Sequence, residues 1–181
     1  LDVRRTSSYR FYQYWIQTDD KDVGRFLRFF TFLSLKEIQE IEKEHLKKPE
    51  LREGQRRLAF EMTSLIHGEK EAGSAGNASQ ILFGGKIEGM QESDLLEAAA
   101  EMPKTERTGD LPVSTVDALA ETGLCKSKGM ARKDIKGGGI YVNNLRIINE
   151  DASISREDLL FGQYVLLRKG KKTYHLLRFR R

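Results

Sequence analysis

Lysine and arginine crowd one short stretch of this chain, residues 126–144, which reads KSKGMARKDIKGGGIYVNN. Lys126, Lys128, Arg132, Lys133 and Lys136 fall on or beside one predicted helix. Cations at this density attract phosphate, which is the chemistry of nucleic-acid recognition. Ser127 is placed to cap the helix, because its hydroxyl can accept from the free N–H groups of the first turn. Met130, Ala131 and Ile135 mark its buried side. Gly137, Gly138 and Gly139 let the chain turn, and Ile140 and Val142 then alternate with Tyr141 and Asn143 as in a strand. Asn143-Asn144 makes a tight turn into residues 145–148, which carry Arg146. Further on, the connection RKGKK joins two predicted strands, 164–167 and 173–179, and supplies Lys169, Lys171 and Lys172. These cations are the candidate phosphate contacts, expected to share a face, with Ser127, Asn143 and Asn144 as hydrogen-bonding partners for a nucleic-acid backbone or sugar. The plain alternative is a solvated charged surface.

The order Ser127, Ala131, Arg132, Ile135, Gly139, Val142, Asn143 resembles the core of the small RNA-binding fold first known from a small-subunit ribosomal protein, called S-four-like here.

Composition agrees with a polyanionic partner. The chain has 181 residues, 39% hydrophobic and 32% charged, with a net charge of +4. That charge is uneven. Residues 86–106 hold two lysines against six acids, whereas residues 160–181 hold seven basic residues and no acid. No apolar run approaches the roughly 20 residues a membrane-spanning helix needs. The one cysteine, Cys125, excludes an internal disulfide and a cysteine zinc site. A reducing cytoplasm is the expected location.

Catalytic patterns are missing. The glycine run lacks the lysine and hydroxyl residue of a P-loop. His45, His67 and His175 are far apart, and no serine sits in a nucleophile elbow. No catalytic residue and no metal ligand is expected.

The elements that position the basic segment follow a helical first half. Ser7 or Thr6 caps a helix through Tyr9, Phe11, Tyr12, Trp15 and Ile16. Asp19 and Asp20 open a second, with Val23, Phe26, Leu27 and Phe30 at amphipathic spacing and Phe29, Phe32 and Leu33 widening the apolar surface. Ser34 and Glu37 form a capping-box pattern before a third helix, whose inner side is Leu35, Ile38, Ile41, His45 and Leu46. A fourth spans 53–67, with Leu58, Met62, Leu65 and Ile66 inward. A fifth spans 69–82 and stops at Gly84-Gly85. Ser93 caps a short helix through Leu95 and Ala99. KTERTGDLP reads as a boundary loop, and Ser114 caps one more helix. The fold class is therefore an all-α module (1–85), a linker with a short helix (86–112) and a small α/β domain (113–181).

The opening, TSSYRFYQYWIQTDDKDVGRFLRFFTFLSLKEI, resembles the anticodon-binding domain of bacterial-type tyrosyl-tRNA synthetases, with Ser8 where that family has proline. LAFEMTSLIHGEKEA is similar to a later segment of the same domain through Leu58, Thr63, His67 and Gly68. Residues 127–143 and 160–172 agree with the family's C-terminal S-four-like domain, and only 86–112 is weakly matched.

The resemblance implies a class I synthetase region that lacks the catalytic domain, since neither its His-Ile-Gly-His-type nor its Lys-Met-Ser-Lys-Ser-type motif is present. Leu1 is read as an internal start. ATP with magnesium, tyrosine and the homodimer interface would belong upstream, with no cofactor in this chain. The partner would be tRNA(Tyr), its anticodon arm facing the helical module and its long variable arm the S-four-like domain. Asp19 and Asp20 are the candidates for anticodon reading. The rival readings are a free-standing binder of structured RNA and a protein–protein adaptor.

Overall fold

A computed structural model describes residues 6–82, 85, 87, 89–100 and 102–180. The readings that fall on Leu1, Gly84, Lys86 and Arg181 lie outside them. The chain divides into two units, Leu1–Ser79 and Gln80–Arg181.

The first unit is all-α. Its helices are α1 (Ser8–Ile16), α2 (Asp20–Phe30), α3 (Leu35–Lys47), α4 (Glu53–His67) and α5 (Glu69–Leu82), the last running past the division between units. Ser7 caps α1 by accepting from Arg10 N at 3.2 Å. Ser34 and Glu37 form the expected capping box at α3. Phe11, Val23, Leu27, Ile38, Leu58 and Met62 make one core, and Tyr12, Ile16, Ala59 and Ala75 make a second. Trp15 packs against both, and in the first its ring stands edge-on 6.2 Å from Phe11 and 6.1 Å from Phe26.

The buried stripe is narrower than the apolar content implied. Phe29, Phe32, Leu35, Leu46 and Leu65 are exposed. Phe29 stands two residues from the buried Leu27, roughly opposite it on the helix, since each residue advances about 100°. Phe32 follows the end of α2 and is 90% exposed. Leu46 sits one position off the inward-facing His45 and is turned away with the polar side of α3.

The second unit is α/β. It holds α6 (Glu92–Ala98), β1 (Lys104–Thr108), β2 (Val113–Ser114), α7 (Thr115–Glu121), α8 (Lys128–Lys136), β3 (Ile140–Val142), β4 (Leu145–Ile147), β5 (Ser153–Ile154), β6 (Tyr164–Lys169) and β7 (Thr173–Arg180). The main sheet runs β1-β7-β6-β3-β4, parallel between β1 and β7 and antiparallel elsewhere, while β2 pairs with β5. Val116, Leu119, Cys125, Ala131, Ile135 and Ile140 pack α7 and α8 onto the sheet. A helical module followed by a small α/β domain is the architecture the sequence predicts.

Three local readings change. KTERT is a strand rather than part of a loop, pairing with β7 about 70 residues onward. Its alternating exposed and half-buried pattern suits a charged sheet edge, which resists pairing with other chains. The short helix α6 takes Gln91 rather than Ser93 as its N-cap residue. Met130 is exposed, leaving Ala131 and Ile135 as the buried residues of α8.

Candidate nucleic-acid interface

Local chemistry builds this region as the sequence requires. Ser127 Oγ accepts from Met130 N at 3.2 Å and starts α8. Lys133 and Lys136 lie in its last turn, where cations complement the helix dipole. Of the three glycines that follow, only Gly138 takes a positive φ, +66°. Asn143 and Asn144 both adopt left-handed backbone, at φ +50° and +63°. That two-residue turn sets β4 against β3 so that Tyr141 faces Arg146.

Two contacts join the β6–β7 hairpin to α8 and its exit. Gly170 N donates to Gly139 O at 2.8 Å. Lys169 Nζ lies 2.7 Å from Asp134 Oδ2. The last turn of α8, the hairpin tip with Lys171 and Lys172, and Arg146 beside Gly138 therefore converge on one rim of the sheet. Arg146 side-chain atoms lie 3.6–3.8 Å from where a Cβ on Gly138 would stand. Lys126 and Lys128 sit at the opposite end of α8, about 13 Å along the helix. The cations thus occupy a rim and one helix end rather than a single flat face.

Their pairing differs. Lys128 meets Asp117 at 2.9 Å, Lys136 meets Glu150 at 3.1 Å, and Lys169 meets Asp134. Lys126, Arg132, Lys133, Lys171 and Lys172 make no ion pair of this kind among the described residues, and all of them are exposed. Hydrogen bonding to Lys169 holds the Asp134 carboxyl below the ordinary carboxylate range, and the same bond pushes Lys169 up.

Asn143 and Asn144 spend their amides internally. Asn143 Nδ2 donates to Asp158 O at 2.7 Å, and its Oδ1 accepts from Leu166 N at 2.9 Å. Asn144 Nδ2 donates to Ile81 O and Gly85 O at 2.9 and 3.0 Å, and its Oδ1 accepts from Arg168 Nε at 3.1 Å. These side chains fix the strand ends and the neighbouring cations.

Tyr141 and Arg168 are functional candidates that sequence reading passed over. Arg168 belongs to β6 rather than to the hairpin loop, and it is buried. Across the sheet, Tyr174, Arg168, Tyr141 and Arg146 stand in register on neighbouring strands. The Arg168 guanidinium lies 3.5 Å from the Tyr141 ring centre and 5.8 Å from that of Tyr174. Arg146 lies 5.5 Å from the Tyr141 ring centre, and its Nη2 and Nε donate to the Tyr141 hydroxyl at 3.0 and 3.3 Å. The Arg146 bond pulls the Tyr141 phenol below its ordinary range. The Asn-Asn turn already implied the Tyr141–Arg146 pair; the pairing of β3 with β6 had no local signal.

In the helical unit, Asp19 is exposed at the start of α2, and its side chain makes no capping bond. Asp20 is tied inward: its Oδ1 accepts from Gln55 Nε2 at 2.5 Å and lies 3.4 Å from His45 Nε2. Among the described residues no group of three or more His, Cys, Asp or Glu is placed to hold a metal ion, and no helix is long and apolar enough to cross a membrane.

Known proteins resemble both units. Residues 94–177 match the family model described as the tyrosine–tRNA ligase SYY-like C-terminal domain, and residues 1–84 match that of tRNA synthetases class I (W and Y). The chain is 43% identical to the tyrosine–tRNA ligase of Roseiflexus castenholzii, over 98% of this chain and 43% of that protein. It is 44% identical to the tyrosine–tRNA ligase of Streptomyces avermitilis, over 95% of this chain and 40% of that protein. It spans less than half the length of these curated relatives. The solution structure of a tyrosyl-tRNA synthetase C-terminal domain is similar at 32% identity and a TM-score of 0.45, over 53% of this chain and 96% of that one. A C-terminally truncated mitochondrial tyrosyl-tRNA synthetase from Aspergillus nidulans is similar at 39% identity and a TM-score of 0.45, over 45% of this chain and 24% of that one.

Proposed function

This chain belongs to the tyrosine–tRNA ligase family, and on that premise we propose that it is the region that holds tRNA(Tyr) while a catalytic domain tyrosylates it. The observation that carries this reading is the cationic rim, where ties of 2.7 and 2.8 Å hold the β6–β7 hairpin to α8 and its exit and Arg146 lies beside Gly138. Cations held on a rigid sheet edge grip phosphates and set orientation, while polar and aromatic groups meet exposed bases.

In this reading Lys133, Arg146, Lys171 and Lys172 contact phosphates first, and Lys126 and Arg132 extend the contact along α8. Lys128, Lys136 and Lys169 exchange their carboxylate partners for phosphate or stay as screens. Ser127, Asn143 and Asn144 act mainly as scaffold. The helical unit faces the anticodon arm, with Asp19 the freer of the two acidic candidates. The S-four-like unit takes the long variable arm.

ATP, magnesium and tyrosine are assigned to the catalytic domain of the complete ligase, as is its homodimer interface. No residue of this chain is given a role toward them, and a cytoplasmic location accompanies the same reading. The contribution of this region is positioning, which replaces entropy otherwise lost on the way to the transition state. A free-standing RNA binder is not favoured, because the family matches run through the helical unit as well.

Titration of the chain with transcribed tRNA(Tyr) and with a tRNA lacking a long variable arm tests the proposal. Tighter binding to tRNA(Tyr), weakening steeply as salt rises, is the expected result. Equal and salt-insensitive binding to both would overturn it.

A further inference from the structure

Four side chains form a ladder across β7, β6, β3 and β4, in the order Tyr174, Arg168, Tyr141, Arg146. Aromatic rings and guanidinium groups alternate along it, each within cation–π range of the next. The inner end is anchored. Tyr174 hydroxyl donates to Leu82 O at 2.8 Å. Arg168 donates to Asn144 Oδ1 at 3.1 Å and to Gly170 O at 2.9 Å. Asn144 is itself held by the carbonyls of Ile81 and Gly85. The outer end, Arg146, lies exposed on the edge strand β4.

Nothing in this arrangement is needed to bury Arg146. A free arginine on a sheet edge samples many rotamers, and ordering such a side chain on binding costs affinity. Here the ordering is already done. One edge of the guanidinium, Nε and Nη2, is spent on the Tyr141 hydroxyl. The edge formed by Nη1 and the second Nη2 hydrogen remains, and it has the fork geometry that meets two phosphate oxygens. The Tyr141 ring cannot swing away, because Arg168 is stacked at 3.5 Å on it.

We propose that Tyr141 is a positioning residue that holds Arg146 in the pose required to grip an RNA phosphate. This rests on the RNA-holding reading above and adds a residue that is not itself a phosphate ligand. Arg168 and Tyr174 transmit the rigidity of the sheet to Tyr141, and Arg146 makes the contact.

A double-mutant cycle on the full chain, with tRNA(Tyr) as the probe, tests it. Tyr141→Phe keeps the ring and the Arg168 stack and removes only the hydroxyl. It should weaken binding about three- to tenfold and leave the salt slope at its wild-type value, since no charge is lost. Arg146→Met should weaken binding further and lower the slope by about one. The double variant should bind no more weakly than Arg146→Met alone. Wild-type affinity in Tyr141→Phe, or losses that simply add, would overturn the positioning role while leaving the RNA-holding reading intact. A wild-type chain that does not bind tRNA(Tyr) would overturn that reading first. A thermal melt of Tyr141→Phe within the wild-type range separates lost positioning from lost folding; a melt lowered in parallel with affinity, with no coupling to Arg146, counts against the proposal.

Discussion

Asp134 on α8 and Lys169 at the end of β6 meet at 2.7 Å, so the helix that carries Lys128, Arg132, Lys133 and Lys136 is tied by an ion pair to the hairpin that carries Lys171 and Lys172. Cys125 Sγ adds a weak contact to the same carboxylate at 3.4 Å. Asp134→Asn should therefore loosen the hairpin as well as remove a charge. Both side chains are partly exposed, at 35% for Lys169 and 23% for Asp134, so the loss of stability should be no more than about 1 kcal/mol. The pH dependence has a definite sign. The Asp134 carboxyl is depressed in the folded state, so its contribution is present above its ordinary value of 3.8 and is lost as pH falls through the folded value. Lys169 is raised, so its share is present below 10.5 and is lost as pH rises through the folded value. Thermal melts of wild type and Asp134→Asn should differ at neutral pH and converge in strong acid.

Asn144→Gly keeps a residue suited to the positive φ of +63° and deletes the amide. Two backbone carbonyls then lose a donor, and the buried Arg168 loses an acceptor. A destabilisation of about 1–3 kcal/mol is expected from denaturant unfolding. A change as small as that of a surface substitution would show that Asn144 does not anchor the sheet.

Lys171→Gln with Lys172→Gln should leave unfolding unchanged and weaken tRNA(Tyr) binding at every sequence tested. The slope of log affinity against log salt should fall by about two, one per phosphate contact removed. An unchanged slope would take the hairpin tip out of the interface.

His175 is buried between β1 and β6, with its Nε2 2.8 Å from Thr105 Oγ1. Burial pushes its pKa below 6.5. The unfolded chain thus takes up the proton first, and the folded state loses stability as pH drops from neutrality through about 6.5 toward the lower folded value. His175→Gln should flatten the stability profile over that interval, as measured by unfolding at a series of pH values.

Leu27 and Phe32 make a sharp pair in the helical unit. Leu27 is 0% exposed and Phe32 is 90% exposed. Leu27→Ala should cost about 2–5 kcal/mol, whereas Phe32→Ala should stay within about 0.5 kcal/mol. Comparable losses in both would mean that Phe32 is packed in solution.

Much of this protein could be read from the chain alone because the signals are local. Ser7, Ser34 and Ser127 announce helix starts through hydroxyls that reach N–H groups three residues on. Asn143-Asn144 dictates a two-residue turn, and that turn alone brings Tyr141 opposite Arg146. The basic segments were visible as charge. Which apolar residues would be buried was less legible: a helix buries a stripe, and the sequence does not say how wide the neighbouring helices make it. Phe29, Phe32, Leu35 and Leu46 are apolar without being core.

Tertiary structure decided what depends on distant pairing. KTERT carries too much charge to look like a strand, and its partner lies at the far end of the chain. Arg168 looked like one more cation of a loop until β6 placed it beside Tyr141 and Asn144. The amides of Asn143 and Asn144 looked free for RNA until the fold supplied Asp158, Leu166, Ile81 and Gly85 as partners. Residue type and short-range spacing set which groups can bind a phosphate; only the packing of strands far apart in sequence determines which of them are already bound to the protein itself.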